Sequence, residues 1–61
     1  MTKIQAINLA HDIENNTRFL DHGEYSRTAT ARKVSGSQNY YVLVKKFFYG
    51  PKTETLRIFD L

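Results

Sequence analysis

Sixty-one residues with no cysteine and a net charge of +3 describe one domain, near the lower size limit for folding without metals, disulfides or oligomerisation. The lack of cysteine excludes a disulfide framework and thiolate zinc ligands, and it fits a reducing compartment. The opening MTKIQAINLAHDI breaks its apolar residues with Gln5, Asn8, His11 and Asp12; it reads neither as a signal peptide nor as a membrane span, so a soluble cytoplasmic protein without a membrane partner is expected.

Residues 2–16 read as a helix. Thr2 followed by Gln5 matches a capping box, in which hydroxyl and amide satisfy each other's backbone N–H groups. At 100° per residue Ala6, Leu9, Ala10 and Ile13 share one stripe, with Leu20 in line if the helix ran that far. Ile4 and Ile7 fall off it and form a second, smaller apolar edge. The asparagines of ENNT at 14–17 compete for backbone hydrogen bonds and weaken the helix, which ends near residue 16.

RFLDHGEY is a connection turned by Gly23, with Phe19 and Leu20 expected in the core. EYSRTATARKV then alternates, Tyr25, Ala29 and Ala31 on one side against Ser26, Thr28, Thr30 and Arg32 on the other, which is a strand pattern. SGSQN is a turn of hairpin length, and GPKT is read as the next. Between them NYYVLVKKFFYG sends Tyr40, Val42, Val44 and Phe48 to one face, and Tyr41, Leu43, Phe47 and Tyr49 to the other. ETLRIFDL closes the chain, with Leu56 and Ile58 opposite Phe59 and Leu61.

The sequence therefore predicts one α+β domain over residues 1–61, a helix packed on a three-stranded antiparallel meander. A four-residue first loop sets Ala29 and Ala31 beside Val42 and Val44, giving a small-residue floor for the helix. The expected core is Ala6, Leu9, Ala10, Ile13, Leu20, Val42, Val44 and Phe59. Tyr41, Leu43, Phe47, Leu56 and Ile58 then fall on the far face, with Thr28, Thr30 and Arg32 around them.

That second face has no cover in so short a chain, and each large side chain left in water forgoes roughly 1.5–3 kcal/mol. It can meet its twin, bind another protein, or stack bases; sheet twist and the connecting loop are the alternative cover. A homodimer is expected, with Leu43, Phe47, Leu56, Ile58, Ile4 and Ile7 as its interface. Edge-to-edge pairing through the last strand is a second route to a dimer.

No catalytic constellation emerges. His11 and His22 lack a paired ligand spacing, and a metal site built from them with Asp12, Glu14 or Asp21 is less expected than exposed polar residues. Ser26, Ser35 and Ser37 sit in no nucleophile-elbow sequence. Gly23, Gly36 and Gly50 lie in separate turns, so no loop cradles a phosphate. The NNT at 15–17 matches a glycosylation acceptor, but no secretory signal accompanies it. No cofactor is expected.

Charge is uneven. Residues 1–23 sum to −1 and residues 24–61 to +4, which suits an acidic protein surface or nucleic acid, or strand edges kept soluble by lysine. The expected function is a non-enzymatic protein that contacts a protein partner through Tyr41, Lys45, Lys46, Phe47, Tyr49, Arg32 and Arg57. RNA or single-stranded DNA binding by the same residues is the alternative. Neither the order nor the motifs of the RNA-recognition and double-stranded-RNA-binding folds are matched. In size and layout the αβββ chain resembles the small accessory proteins of phages and mobile elements, which implies an inhibitor or regulator of a host system; ribosome-associated proteins and toxin–antitoxin partners share the same format.

Overall fold

The structure, a computed structural model, describes residues 1–16, 18 and 20–60. Helix α1 (Lys3–Asn15) is followed by β1 (Glu24–Lys33), β2 (Tyr40–Phe48) and β3 (Lys52–Ile58). The strands form one antiparallel sheet in the order β1-β2-β3. This is the α+β, αβββ arrangement the sequence predicts.

The helix begins where its cap dictates. The Gln5 N–H donates to the Thr2 hydroxyl at 3.2 Å, and the Thr2 N–H donates to Gln5 Oε1 at 3.0 Å, a reciprocal capping box. At the other end the Asn15 side chain turns back to donate to the His11 carbonyl at 2.8 Å. That is the local competition by asparagine expected to end the helix.

The buried core consists of small residues only: Ala6 and Ala10 from α1, Ala29 from β1, and Val42 and Val44 from β2. The register sets Ala29 opposite Val44 and Ala31 opposite Val42, as the predicted floor requires. Alanine on the helix lets its backbone approach the sheet closely, and Leu9, Ile13, Tyr40 and Ile58 pack partly buried around the contact. The first hairpin closes with Val34 N–H donating to the Asn39 carbonyl at 2.9 Å. This leaves a four-residue loop in which Gly36 takes a positive φ of 73°.

Three expectations are corrected. The second turn is shorter than GPKT: Phe48 already pairs with Lys52, so residues 49–51 form the turn, with Gly50 at φ 83°. Such a slip in register reverses every side chain of the strand. Leu56 and Ile58 therefore stand opposite Val44 and Val42, on the helix side, and Phe59 leaves the core for the far face, 49 % exposed. Secondly, a β-bulge between Glu24 and Ser26 breaks the alternation assumed for β1. It turns Tyr25 away from the helix, onto Phe47 and Tyr49. Thirdly, Leu20 is half-buried, not part of the buried core. Phe19 and Leu61, also assigned positions from the sequence, lie outside the described residues.

The helix lies over β1 and β2 and leaves β3 largely uncovered. Leu56 remains 46 % exposed for that reason, although it points to the helix side. No helix among the described residues is long and apolar enough to cross a membrane.

The tight alanine contact predicts its own sensitivity. Ala6→Leu, which drives a larger side chain into a fully buried position, should cost about 1–3 kcal/mol. Thr2→Ala, which removes the cap, should cost about 1 kcal/mol. Urea unfolding followed by circular dichroism measures both; an unchanged midpoint for Ala6→Leu would mean the helix is not seated on the sheet as described.

Candidate functional site

The sheet has one face under the helix and one open face, and the register assigns every strand residue to one of them. Across the open face run three rows: Arg32 beside Tyr41, Thr30 beside Leu43 and Arg57, and Thr28 beside Lys45 and Thr55. A fourth row sets Ser26, Phe47 and Thr53 side by side.

Aromatic rings gather at both ends of this face. Tyr41 and Phe59 stack at 5.1 Å between centroids with planes 27° apart. About six residues further along β2, Tyr25 packs on Tyr49 at 5.0 Å and on Phe47 at 6.5 Å. Such pairs contribute about 0.5–1.5 kcal/mol each beyond the area they bury. The rings thus shield one another, and this is what shelters the face that the helix cannot reach. Tyr25 is still 51 % exposed and Tyr49 77 % exposed.

Charge is sorted between the two faces. Arg32, Lys45 and Arg57 are exposed on the open face, and none of them makes an ion pair among the described residues. The strands contain only two carboxylates, Glu24 and Glu54, and the register puts both on the helix side, in line with Phe48 and Lys46. The open face of the strands is therefore cationic without an internal counter-charge.

Of the seven predicted contact residues, the structure brings Tyr41, Lys45, Phe47, Tyr49, Arg32 and Arg57 together on or beside this face. Lys46 is the exception in placement: it points the other way and donates to Asp21 Oδ2 at 2.5 Å. The predicted dimer residues divide among three surfaces. Leu43 and Phe47 lie on the open face, Leu56 and Ile58 on the helix side, and Ile4 and Ile7 are exposed on α1 at 72 % and 47 %. No single flat contact can bury all six. Tyr25 and Phe59, which complete the two aromatic clusters, escaped sequence reasoning because a bulge and a short turn moved them across the sheet.

Behind the face, an ionic cluster secures the entry to β1. Glu24 is buried and accepts from Arg27 Nε at 2.8 Å, from Arg27 Nη2 at 2.7 Å and from the Asp21 N–H at 2.9 Å, while its own N–H donates to the Asp21 carbonyl. The Arg27 hydrogen bonds hold the Glu24 carboxyl below its ordinary value, with burial opposing them. The Lys46 hydrogen bond does the same for Asp21. Among the described residues no three His, Cys, Asp or Glu side chains gather as a metal site would need. His11 and Asp12 instead line an open depression with Asn15, Asn16 and Arg18 at the end of α1.

A carboxyl with a lowered folded value contributes stability that is fully present above its unfolded value and lost as the pH falls through the folded one. Both shifts have this sign, from ordinary values of 3.8 for Asp21 and 4.5 for Glu24. The melting temperature should hold steady near neutrality and drop below about pH 4. Glu24→Gln should start lower at neutral pH and show a shallower acid decline. Glu24→Ala, which removes charged hydrogen bonds at a buried position, should cost about 1.5–3 kcal/mol. Thermal melts across the acid range measure all three; an identical acid decline in Glu24→Gln would dissociate this cluster from acid stability.

No family model matches the chain, and no curated protein and no solved structure matches it either.

Proposed function

We propose that this is a non-enzymatic binding protein that acts by stoichiometric contact, through the open face of its sheet, with a protein that presents an acidic surface. The observation that supports this reading is the sorting of charge: Arg32, Lys45 and Arg57 share one face with five aromatic rings, and both strand carboxylates lie on the other side. Aromatic groups and arginine are the side chains that most often anchor protein interfaces, and acidic groups opposite would supply the missing counter-charge. Tyr41, Phe47 and Tyr49 act as anchors, with Tyr25 and Phe59 beside them, and Arg32, Lys45 and Arg57 form the rim. Lys46 is left out, because Asp21 holds it on the other face. An inhibitor or regulator of a larger machine is the role that suits a chain of this size, since a docking face needs no catalytic pocket.

Binding of single-stranded nucleic acid is a second reading, favoured by the threonine hydroxyls of Thr28, Thr30, Thr53 and Thr55 that flank the three cations. Bases, however, stack on bare ring faces. Here Tyr41 is already stacked on Phe59, and Tyr25 packs on Tyr49, which favours the protein partner.

Pull-down from lysate with and without nuclease separates the two. A protein partner should survive nuclease, and its affinity should fall modestly with salt. Tyr49→Ala should weaken binding roughly thirty-fold, about 2 kcal/mol, if the ring is an anchor. A nucleic-acid partner should disappear with nuclease and show a steep log–log salt dependence set by the phosphates contacted. Loss of every specific partner after nuclease, with binding abolished by the triple change Arg32→Ser, Lys45→Ser and Arg57→Ser, would replace the first reading by the second. Undiminished binding in that triple variant would exclude the open face from either.

A further inference from the structure

We propose that two copies of the chain pair edge to edge through β3, antiparallel about a two-fold axis at Leu56, so that the two open faces join into one six-stranded platform. This goes beyond the binding reading and does not depend on the identity of the partner.

The two edges of the sheet are not alike. β1 carries a bulge between Glu24 and Ser26 and lies under α1, both of which discourage a further strand. β3 has seven residues with no proline, no bulge and no helix across it, and six of the seven are exposed.

The free backbone groups of β3 can be identified. Val34 N–H donates to the Asn39 carbonyl, and alternation along the ladder then directs the backbone of Tyr41, Leu43 and Lys45 toward β1. Val42, Val44 and Lys46 must direct theirs toward β3, where they pair with Ile58, Leu56 and Glu54. The N–H and C=O groups of Thr53, Thr55 and Arg57 consequently point away from the sheet, ready for another strand.

A second β3 is the strand whose side chains suit that edge. With the axis at Leu56, Leu56 meets Leu56 of the second copy in a pair without direct hydrogen bonds, where side chains approach most closely. Leu56 is 46 % exposed in the single chain because α1 stops short of it, so this pairing covers an apolar group that the single chain covers only in part. Thr55 stands opposite Arg57 of the second copy, and Glu54 opposite Ile58, so no like charges stand directly opposite each other on the paired strands. An axis at Arg57 would oppose two arginines, one at Glu54 two glutamates, and one at Thr55 would set Leu56 against Glu54.

The pairing also completes the candidate site. Lys45 and Arg57 of each copy fall in two adjacent rows at the centre of a sheet about 24 Å wide. Four cations thus meet where the single chain has two, Lys45 on its central strand and Arg57 on its edge. A partner that reads this face reads residues from both copies.

The test uses the full chain alone. Sedimentation equilibrium from micromolar to millimolar concentration should show a concentration-dependent species of twice the chain mass. Thr55→Pro removes an outward N–H and leaves the β2–β3 hydrogen bonds intact, so it should give a folded monomer, with folding checked by circular dichroism. Because the chain has no cysteine, Leu56→Cys provides a reading that does not rely on Thr55→Pro folding. Its thiols at the axis would lie about 4.5 Å apart at Cα, within disulfide range, and mild oxidant should yield a covalent dimer. Thr53→Cys is the control, since its two copies would be roughly 20 Å apart. A wild-type chain that stays monomeric throughout, a folded Thr55→Pro that still dimerises, or equal cross-linking of the two cysteine variants would each overturn the proposal.

Discussion

Everything in this fold depends on how closely one short helix can lie on its sheet. Ala6 and Ala10 bring the α1 backbone down onto Ala29, Val42 and Val44, and among the described residues no apolar side chain larger than valine is fully buried. Close approach gives dense packing, but a helix so near the sheet spans only two strands. The remaining apolar surface must be managed by other means: the Tyr41–Phe59 stack, the Tyr25–Phe47–Tyr49 group and the partial cover of Leu56 and Ile58. The open face and the bare β3 edge remain because the one described helix covers one face of β1 and β2.

The distribution of charge is the counterpart of that economy. Buried Glu24 is held by Arg27 and the Asp21 backbone, and Asp21 in turn holds Lys46. This cluster anchors the chain at the entry to β1, next to the bulge that redirects Tyr25. By drawing its own acids and two basic partners to the helix side, the chain leaves Arg32, Lys45 and Arg57 alone with the rings. The binding reading follows from that separation, because an unbalanced charge row on a solvent-facing sheet is most easily satisfied by an anionic surface.

The helix, its cap, the strand order and the first hairpin were all legible in the sequence because local signals agreed with one another. Thr2 with Gln5 marked the start of α1, and the alanines of β1 could serve as a floor only if they met Val42 and Val44. The errors came from places where one residue decides the geometry of many. Reading GPKT as the turn put Leu56 and Ile58 on the wrong face and Phe59 in the core; the composition of that stretch does not reveal that the turn is complete by Pro51. The bulge at Tyr25 carries no glycine to betray it. Lys46 looked equivalent to Lys45, and only the fold-back that brings Asp21 within reach separates them. The six residues proposed from sequence as a dimer interface do not share one face, because the second hairpin was read out of register and Leu56 and Ile58 stand on the helix side.

The order β1-β2-β3 also bears on how the chain reaches this state. Each strand pairs with its neighbour in sequence, so both hairpins close small loops at little entropic cost. The distant contacts are those α1 makes with β2 and those of the first residue: the Met1 carbonyl accepts from Tyr40 N–H, and its amino group donates to the Tyr40 and Phe59 carbonyls. The α1–β2 and Met1 contacts thus close the longest loops in the chain and carry the largest loop-closure cost. Met1 thereby ties the start of the chain to Tyr40 at the head of β2 and to Phe59 just beyond β3, so that loss of its amino group would loosen both ends of the chain together.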